Sequence, residues 1–238
     1  MDKRAIVIGA SSGIGREVAK ALLADGWKLG VAARRTELLQ TIGAAETARI
    51  DVNSEDAADN LRNLIERLGG MELFFYASGI GKQNRELQPD VELATMTTNG
   101  LGFTRMIGEA YRYFAEQGKG HIAAITSIAG TKGLGPAPAY SATKAMQNVY
   151  LQALEQQAHS RGRDIRFTDI RPGFVDTALL SGDFHYPMML KPEKVARQIV
   201  RAIRHKKHIC VIDWRYRVLT ALWRRIPRWV WRRIKLYF

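Results

Sequence analysis

Short apolar runs alternate along this chain with longer stretches in which apolar side chains recur every three or four positions. The short runs cover 4–8, 28–33, 47–50, 71–76, 121–125, 165–170 and 208–212. Most are apolar at nearly every position, which predicts strands buried on both faces rather than strands with one wet side. The periodic stretches predict helices over 13–25, 54–68, 90–117, 138–161 and 192–205, with a short helix around 36–42. In the first of these, Ile14, Val18, Ala21 and Leu22 share one face. Strands that alternate with helices predict an α/β fold, a doubly wound parallel sheet of Rossmann-like type with helices on both faces. No repeat, low-complexity segment or linker interrupts residues 1–190. Residues 1–212 therefore read as a single domain, and 213–238 as a C-terminal extension.

The bulk properties sharpen this outline in a few places. A length of 238 residues allows one large domain or two small ones. The content of 46% apolar and 25% charged residues is that of a soluble globular protein. Cys210 is the single cysteine, so neither an internal disulfide nor a cysteine-based metal site can form, and no metal is expected. The start, Met1 to Gly9, has too short an apolar stretch for a secretory signal. No apolar run approaches the roughly 20 residues that span a bilayer. These features together predict a cytoplasmic protein. The net charge of +13 is unevenly placed: residues 1–190 hold 21 Lys/Arg and 21 Asp/Glu, whereas 191–238 hold 15 Lys/Arg against Glu193 and Asp213. A neutral domain with a basic end argues against a nucleic-acid partner.

Between the first strand and first helix lies Gly9-Ala10-Ser11-Ser12-Gly13-Ile14-Gly15. Glycines let a backbone turn sharply beside a ligand, and the free N–H groups of a helix start suit a pyrophosphate. After the second strand comes Ala33-Arg34-Arg35, where a carboxylate for the ribose hydroxyls is the usual NAD signature. Two guanidiniums there point to a 2′-phosphate, hence to NADP(H). Asp51, after the third strand, suits either the adenine amino group or a turn cap.

Tyr140 and Lys144 are spaced i and i+4 at the start of a predicted helix, so phenol and ammonium share one face. A phenol of pKa about 10 is a poor acid/base near neutrality, and a neighbouring cation lowers that value. Tyr140 is thus expected to exchange a proton with a carbonyl or alcohol oxygen. Ser127, just past the fifth strand, is expected to donate to the same oxygen.

In these motifs the chain resembles the short-chain dehydrogenase/reductase family over residues 1 to about 205. The resemblance rests on the glycine turn, Asp51-Val52, Asn99, Ser127, Tyr140 with Lys144, and Arg171-Pro172-Gly173-Phe174-Val175-Asp176-Thr177. It implies that Asn99 bends its helix and holds a water relaying protons to Lys144, and that Lys144 binds the nicotinamide ribose. It also implies that Pro172, Gly173 and Thr177 line the nicotinamide, that Val52 and Val175 belong to the cofactor site, and that the protein is a homodimer or homotetramer. One departure is Tyr76-Ala77-Ser78-Gly79, where the family usually has Asn-Asn-Ala-Gly. Gly79 keeps the close approach to the cofactor, and the lost asparagine is a sheet-stabilising side chain whose absence the fold should tolerate.

Leu179, Leu180, Phe184, Tyr186, Pro187, Met188, Met189 and Leu190 fall where the family covers its substrate, implying a hydrophobic carbonyl compound. The expected activity is NADPH-dependent carbonyl reduction or its reverse. The alternative, a catalytically silent NADP-binding scaffold, is disfavoured by the intact Asn99–Ser127–Tyr140–Lys144 set. Residues 214–238 carry Trp214, Trp223, Trp229 and Trp231 with eight Arg/Lys and no acidic residue. At helical period Arg217, Arg224, Arg225, Arg228, Arg232 and Lys235 fall on one arc. Val218, Leu219, Leu222, Trp223, Ile226, Val230, Ile234 and Tyr237 fall opposite, and Pro227 should split the segment into two helices. This pattern suits peripheral contact with an anionic membrane, with packing on the domain or across a subunit contact as the alternative.

Overall fold

The computed structural model describes residues 3–180 and 186–236. Phe184 and Tyr237, both assigned roles above, lie outside the described residues. Seven parallel strands, β1 (Arg4–Ile8), β2 (Lys28–Ala33), β3 (Glu46–Arg49), β4 (Leu73–Tyr76), β5 (Lys119–Ile125), β6 (Asp164–Arg171) and β7 (Ile209–Val211), form one sheet in the order β3-β2-β1-β4-β5-β6-β7. The chain winds outward from β1 to β3 and then restarts at β4 on the other side of β1, which makes a switch point between β1 and β4.

Alternation along each strand divides the core. Ala5, Val7, Leu73 and Phe75 face α1 (Gly13–Ala24) and α6 (Pro192–Arg204). Ile6, Ile8, Phe74 and Tyr76 face α2 (Ala57–Leu68), α4 (Phe103–Gln117) and α5 (Pro138–Ser160). Pro138 and Pro192 open their helices, and Pro89 opens α3 (Pro89–Met96), at positions where a missing N–H costs nothing. Tyr76, in place of the asparagine, is fully buried and meets Phe103 edge-on at 5.2 Å, so an aromatic contact fills that part of the sheet face.

Two expected helices differ from the pattern. The stretch 36–42 forms two 3-10 turns. The helix expected over 90–117 is interrupted by a π-turn at Thr97–Gly102, between α3 and α4, with Asn99 inside it. The end of the chain forms α7 (Trp214–Arg225) and α8 (Arg228–Trp231), separated at Ile226-Pro227. The inner side of α7 joins the core shared by α1 and α6: Tyr216 is fully buried, Thr220 is buried, and Leu219 and Trp223 are half-buried. Burying a side chain as large as Tyr216 contributes on the order of 2–3 kcal/mol. Val218, Leu222 and Ile234, expected on the same apolar arc, face outward. Among the described residues no helix is long and apolar enough to cross a membrane.

Candidate active site

The strand register carries every predicted site residue to one edge of the sheet. Ile8 pairs with Ala32 and Tyr76, Tyr76 with Ala124, and Ala124 with Asp169, so Gly9 and Ala77 leave the sheet side by side, Thr126 follows one position beyond that row, and Arg171 ends β6 at the same edge. A cleft of about 670 Å³ runs along this edge from Arg34 and Arg35 to Tyr186 and Trp223. Gly9, Ser11, Ser12, Gly13, Ile14, Gly15, Asp51, Val52, Gly79, Ser127, Tyr140, Lys144, Pro172, Gly173, Val175 and Thr177 all line it. Asn99 lies just behind.

The glycine turn has the shape a pyrophosphate needs. Gly9 has φ +85°, and a Cβ there would lie 2.7 Å from the Ser78 nitrogen. A Cβ on Gly15 would run into the Gly9 carbonyl, so helix α1 seats against the turn only with glycine at that position. Ser12 caps α1 without a side-chain bond to its first N–H groups, leaving them for an anion. Arg35 Nη2 donates to Ser12 Oγ at 3.1 Å, so a guanidinium lies against the same turn. Near the expected adenine end, Asp51 accepts from Asn53 N at 3.1 Å, and the buried Asn53 Oδ1 has no partner. Sequence reasoning did not single out Asn53; a lone asparagine after the third strand gives no signal of its own. These residues fit a dinucleotide.

Tyr140 and Lys144 sit on the first turns of α5, and the Lys144 Nζ lies 5.7 Å from the Tyr140 ring centroid. Lys144 is buried, with Nζ donating to Gln147 Oε1 at 3.0 Å and to the Ile125 carbonyl at 3.3 Å. Ser127 is buried; its Oγ accepts from Ala129 N at 3.0 Å, and its hydroxyl is hydrogen-bonded to the Tyr140 phenol. Asn99 spans the π-turn to the loop after β4: its Oδ1 accepts from Ile80 N at 2.9 Å and its Nδ2 donates to Ile80 O at 2.7 Å. The Asn99 backbone carbonyl accepts from Gln147 Nε2 at 2.7 Å. Gln147 was not among the expected site residues.

The electrostatics of the pair are set first by burial. Desolvation lowers Lys144 to about 8, with Asp169 acting in the opposite direction. Desolvation raises Tyr140, and the Ser127 hydroxyl works against it. The phenol is therefore not acidified by the protein alone, because its own burial outweighs the hydrogen bond from Ser127. The positive nicotinamide ring of an oxidised cofactor would act in the lowering direction. For stability, the unfolded chain keeps its Lys144 proton up to the ordinary 10.5 whereas the folded chain releases it near 8. In that window the unfolded state binds more protons, so the cost of burying the charged Lys144, full below about 8, is relieved as pH rises to 10.5 and stability rises with it.

Beyond Tyr140 the cleft turns apolar. Leu134, Leu179, Leu180, Tyr186 and Trp223 line it. Of the expected cover, Leu190 instead pairs with Val175 and is buried in the core, and Met188 packs against that core. Trp223 comes from α7, which sequence periodicity treated as separate from the site. The link is physical: a Cβ on Gly173 would collide with the Tyr216 ring, whose hydroxyl donates to Met188 O at 3.1 Å and accepts from Phe174 N at 3.2 Å. Lys132 Nζ donates to Ile226 O at 2.9 Å and Trp231 Nε1 to Gly133 O at 2.7 Å, which fastens the rest of the segment to the rim.

A dinucleotide cradle and a proton donor meeting at one sheet edge serve hydride exchange at a carbon bearing oxygen; the protein is an NAD(P)-dependent oxidoreductase acting on CH–OH groups. Residues 3–185 match the model of the short chain dehydrogenases, and the chain belongs to that family. It is 29% identical over 222 residues to an uncharacterized oxidoreductase of Staphylococcus aureus (strain USA300), covering 88% of this chain and 94% of that protein. The fold is similar to that of an alcohol dehydrogenase from the archaeon Thermococcus sibiricus complexed with 5-hydroxy-NADP, with a TM-score of 0.78 and 24% identity, covering 91% and 98% of the two chains. It is also similar to a short chain dehydrogenase/reductase from Burkholderia phymatum in complex with NAD, with a TM-score of 0.81 and 20% identity, covering 93% and 92%.

Proposed function

We propose that this protein is an NADPH-dependent reductase of hydrophobic, lipid-like ketones or 3-oxoacyl compounds. The observation that carries the reading is the continuity of the cleft. One cavity joins the arginine-flanked phosphate turn, the Ser127–Tyr140–Lys144 group and an apolar end walled by Leu134, Leu179, Leu180, Tyr186 and Trp223. Bound NADPH would supply the hydride. Gly9 to Gly15 and the α1 N-terminus would hold its pyrophosphate, Arg34 and Arg35 its 2′-phosphate, and Pro172, Gly173, Val175 and Thr177 would border its nicotinamide. Ser127 turns its hydroxyl proton from the Tyr140 phenol to the carbonyl oxygen and polarises it. Tyr140 delivers its proton to the same oxygen as the carbon is reduced. Lys144 stabilises the phenolate that remains. The apolar wall excludes water from the reacting carbon and favours long alkyl chains by burial, at about 0.8 kcal/mol per methylene.

With NADPH in excess, a series of straight-chain ketones is expected to show kcat/KM rising with chain length, and 3-oxoacyl thioesters to be turned over better than polar sugars. Good turnover of small polar carbonyls with none of the long-chain compounds would overturn the assignment. A homodimer or homotetramer is supported by exposed apolar side chains on α3, the π-turn and α5: Leu93, Met96, Leu101, Met146 and Val149.

A further inference from the structure

We propose that the outer face of α7 and α8 is a docking surface for an anionic phospholipid bilayer. This reading is independent of the substrate assigned above. The segment is two-sided. Its inner side is committed to the protein through Tyr216, Trp223 and Trp231. Its outer side leaves Trp214 68% and Trp229 65% exposed, with Val218 and Leu222 more than half exposed beside them. On a helical wheel Trp214, Val218 and Leu222 fall within one arc of α7, flanked by Arg217 and Arg224 and interrupted by Arg225. From 214 to 236 no acidic residue offsets these guanidiniums. Asp213, the nearest carboxylate, is buried and already paired with Arg215 at 2.9 Å. Exposed tryptophans set in arginine suit the lipid interface, where rings sit at headgroup depth and guanidiniums meet lipid phosphates. Nucleic acid would use the charge but leave the apolar arc wet, and a second copy would bring the same cations face to face. The helix that meets lipid outside is the one that walls the cleft inside through Trp223.

The test is flotation of the full-length protein with vesicles of one part phosphatidylglycerol to two parts phosphatidylcholine, and with pure phosphatidylcholine. Binding is expected only to the first. Reversal of Arg217, Arg224 and Arg225 to glutamate is expected to weaken it at least about 100-fold. Trp214→Ala with Trp229→Ala is expected to weaken it about 10-fold or more. These side chains are exposed, and unchanged NADPH binding confirms that each variant is folded. Tyr140→Phe, inert as a reductase, should float like the parent, so failure of the catalytic assignment and of this one are distinguishable. No flotation, equal flotation with both vesicle types, or a tryptophan variant that changes only oligomeric state would each overturn the proposal, as would tight duplex DNA binding without flotation.

A separate observation carries a second inference: the geometry points to Gln147 as a positioning residue for Lys144. Gln147 is fully buried and bridges two groups, accepting from Lys144 Nζ at 3.0 Å and donating to the Asn99 carbonyl at 2.7 Å. The amide thus holds the ammonium beside the Tyr140 ring in the place where the family resemblance expects a water. The titratable groups facing Lys144 are Tyr140 on its own helix and Asp169 on β6, itself paired with Arg171. Gln147→Leu is expected to lower kcat about 10-fold, leave the KM for NADPH unchanged, and shift the alkaline limb of the kcat profile to lower pH, because Lys144 loses an acceptor. Gln147→Glu, nearly isosteric, is expected to shift that limb to higher pH. Unmoved profiles in both variants, whatever happens to kcat, would reduce Gln147 to core packing.

Discussion

Replacing Tyr140 with phenylalanine is expected to lower ketone reduction by about three orders of magnitude, the scale of a lost general acid. NADPH binding should stay within about twofold, because only a hydroxyl is removed from a side chain otherwise held by its ring. The structure isolates this effect well. Lys144 keeps its bonds to Gln147 and Ile125 whether or not the phenol oxygen is present, and Ser127 keeps its bond to Ala129 while losing only the phenol as a partner. Stopped-flow single-turnover kinetics paired with a fluorescence titration of NADPH would measure both quantities. Retention of the parental rate would mean that another group protonates the product, and the proposed chemistry would fail with it.

The second large effect concerns cofactor choice. With Arg34 and Arg35 both changed to alanine, kcat/KM for NADPH is expected to fall about 100-fold while that for NADH changes little. Each charge-assisted hydrogen bond to a phosphate is worth roughly 1.5–3 kcal/mol, discounted here because both guanidiniums are exposed. Arg35 also donates to Ser12, so its loss frees a hydroxyl on the phosphate turn, a cost that both cofactors share. The ratio of the two efficiencies therefore reads the 2′-phosphate alone. An unchanged ratio would place the determinant elsewhere in the cleft.

Much of this was legible in the chain because its signals are local. Nearly continuous apolar runs such as Ala5 to Ile8 specify buried parallel strands, and the strand-to-helix junction at Gly9–Gly15 needs glycine for steric reasons that act within a few residues. Tyr140 and Lys144 are one helical turn apart, so their proximity follows from the helix itself. What escaped was non-local. Gln147 reaches Asn99 across 48 positions, and neither residue signals the other. The π-turn at Thr97–Gly102 looks like ordinary helix in its apolar spacing, since one extra residue per turn hardly disturbs that pattern. In the C-terminal segment the apolar arc was real, but only Leu219, Trp223 and their buried neighbours Tyr216 and Thr220 turn inward, because the hollow beneath Gly173 selects which side of α7 docks.

That hollow ties two stretches that lie far apart in the sequence. The match to the family model ends at residue 185, yet the space where a side chain at 173 would stand is taken by a ring from residue 216. Neither position can vary alone: a larger residue at 173 demands a smaller one at 216, and a smaller one at 216 leaves a void beneath the loop beside the nicotinamide. The end of the molecule is thereby written into the part that the family model matches, and a change of size at either position is expected to require a matching change at the other.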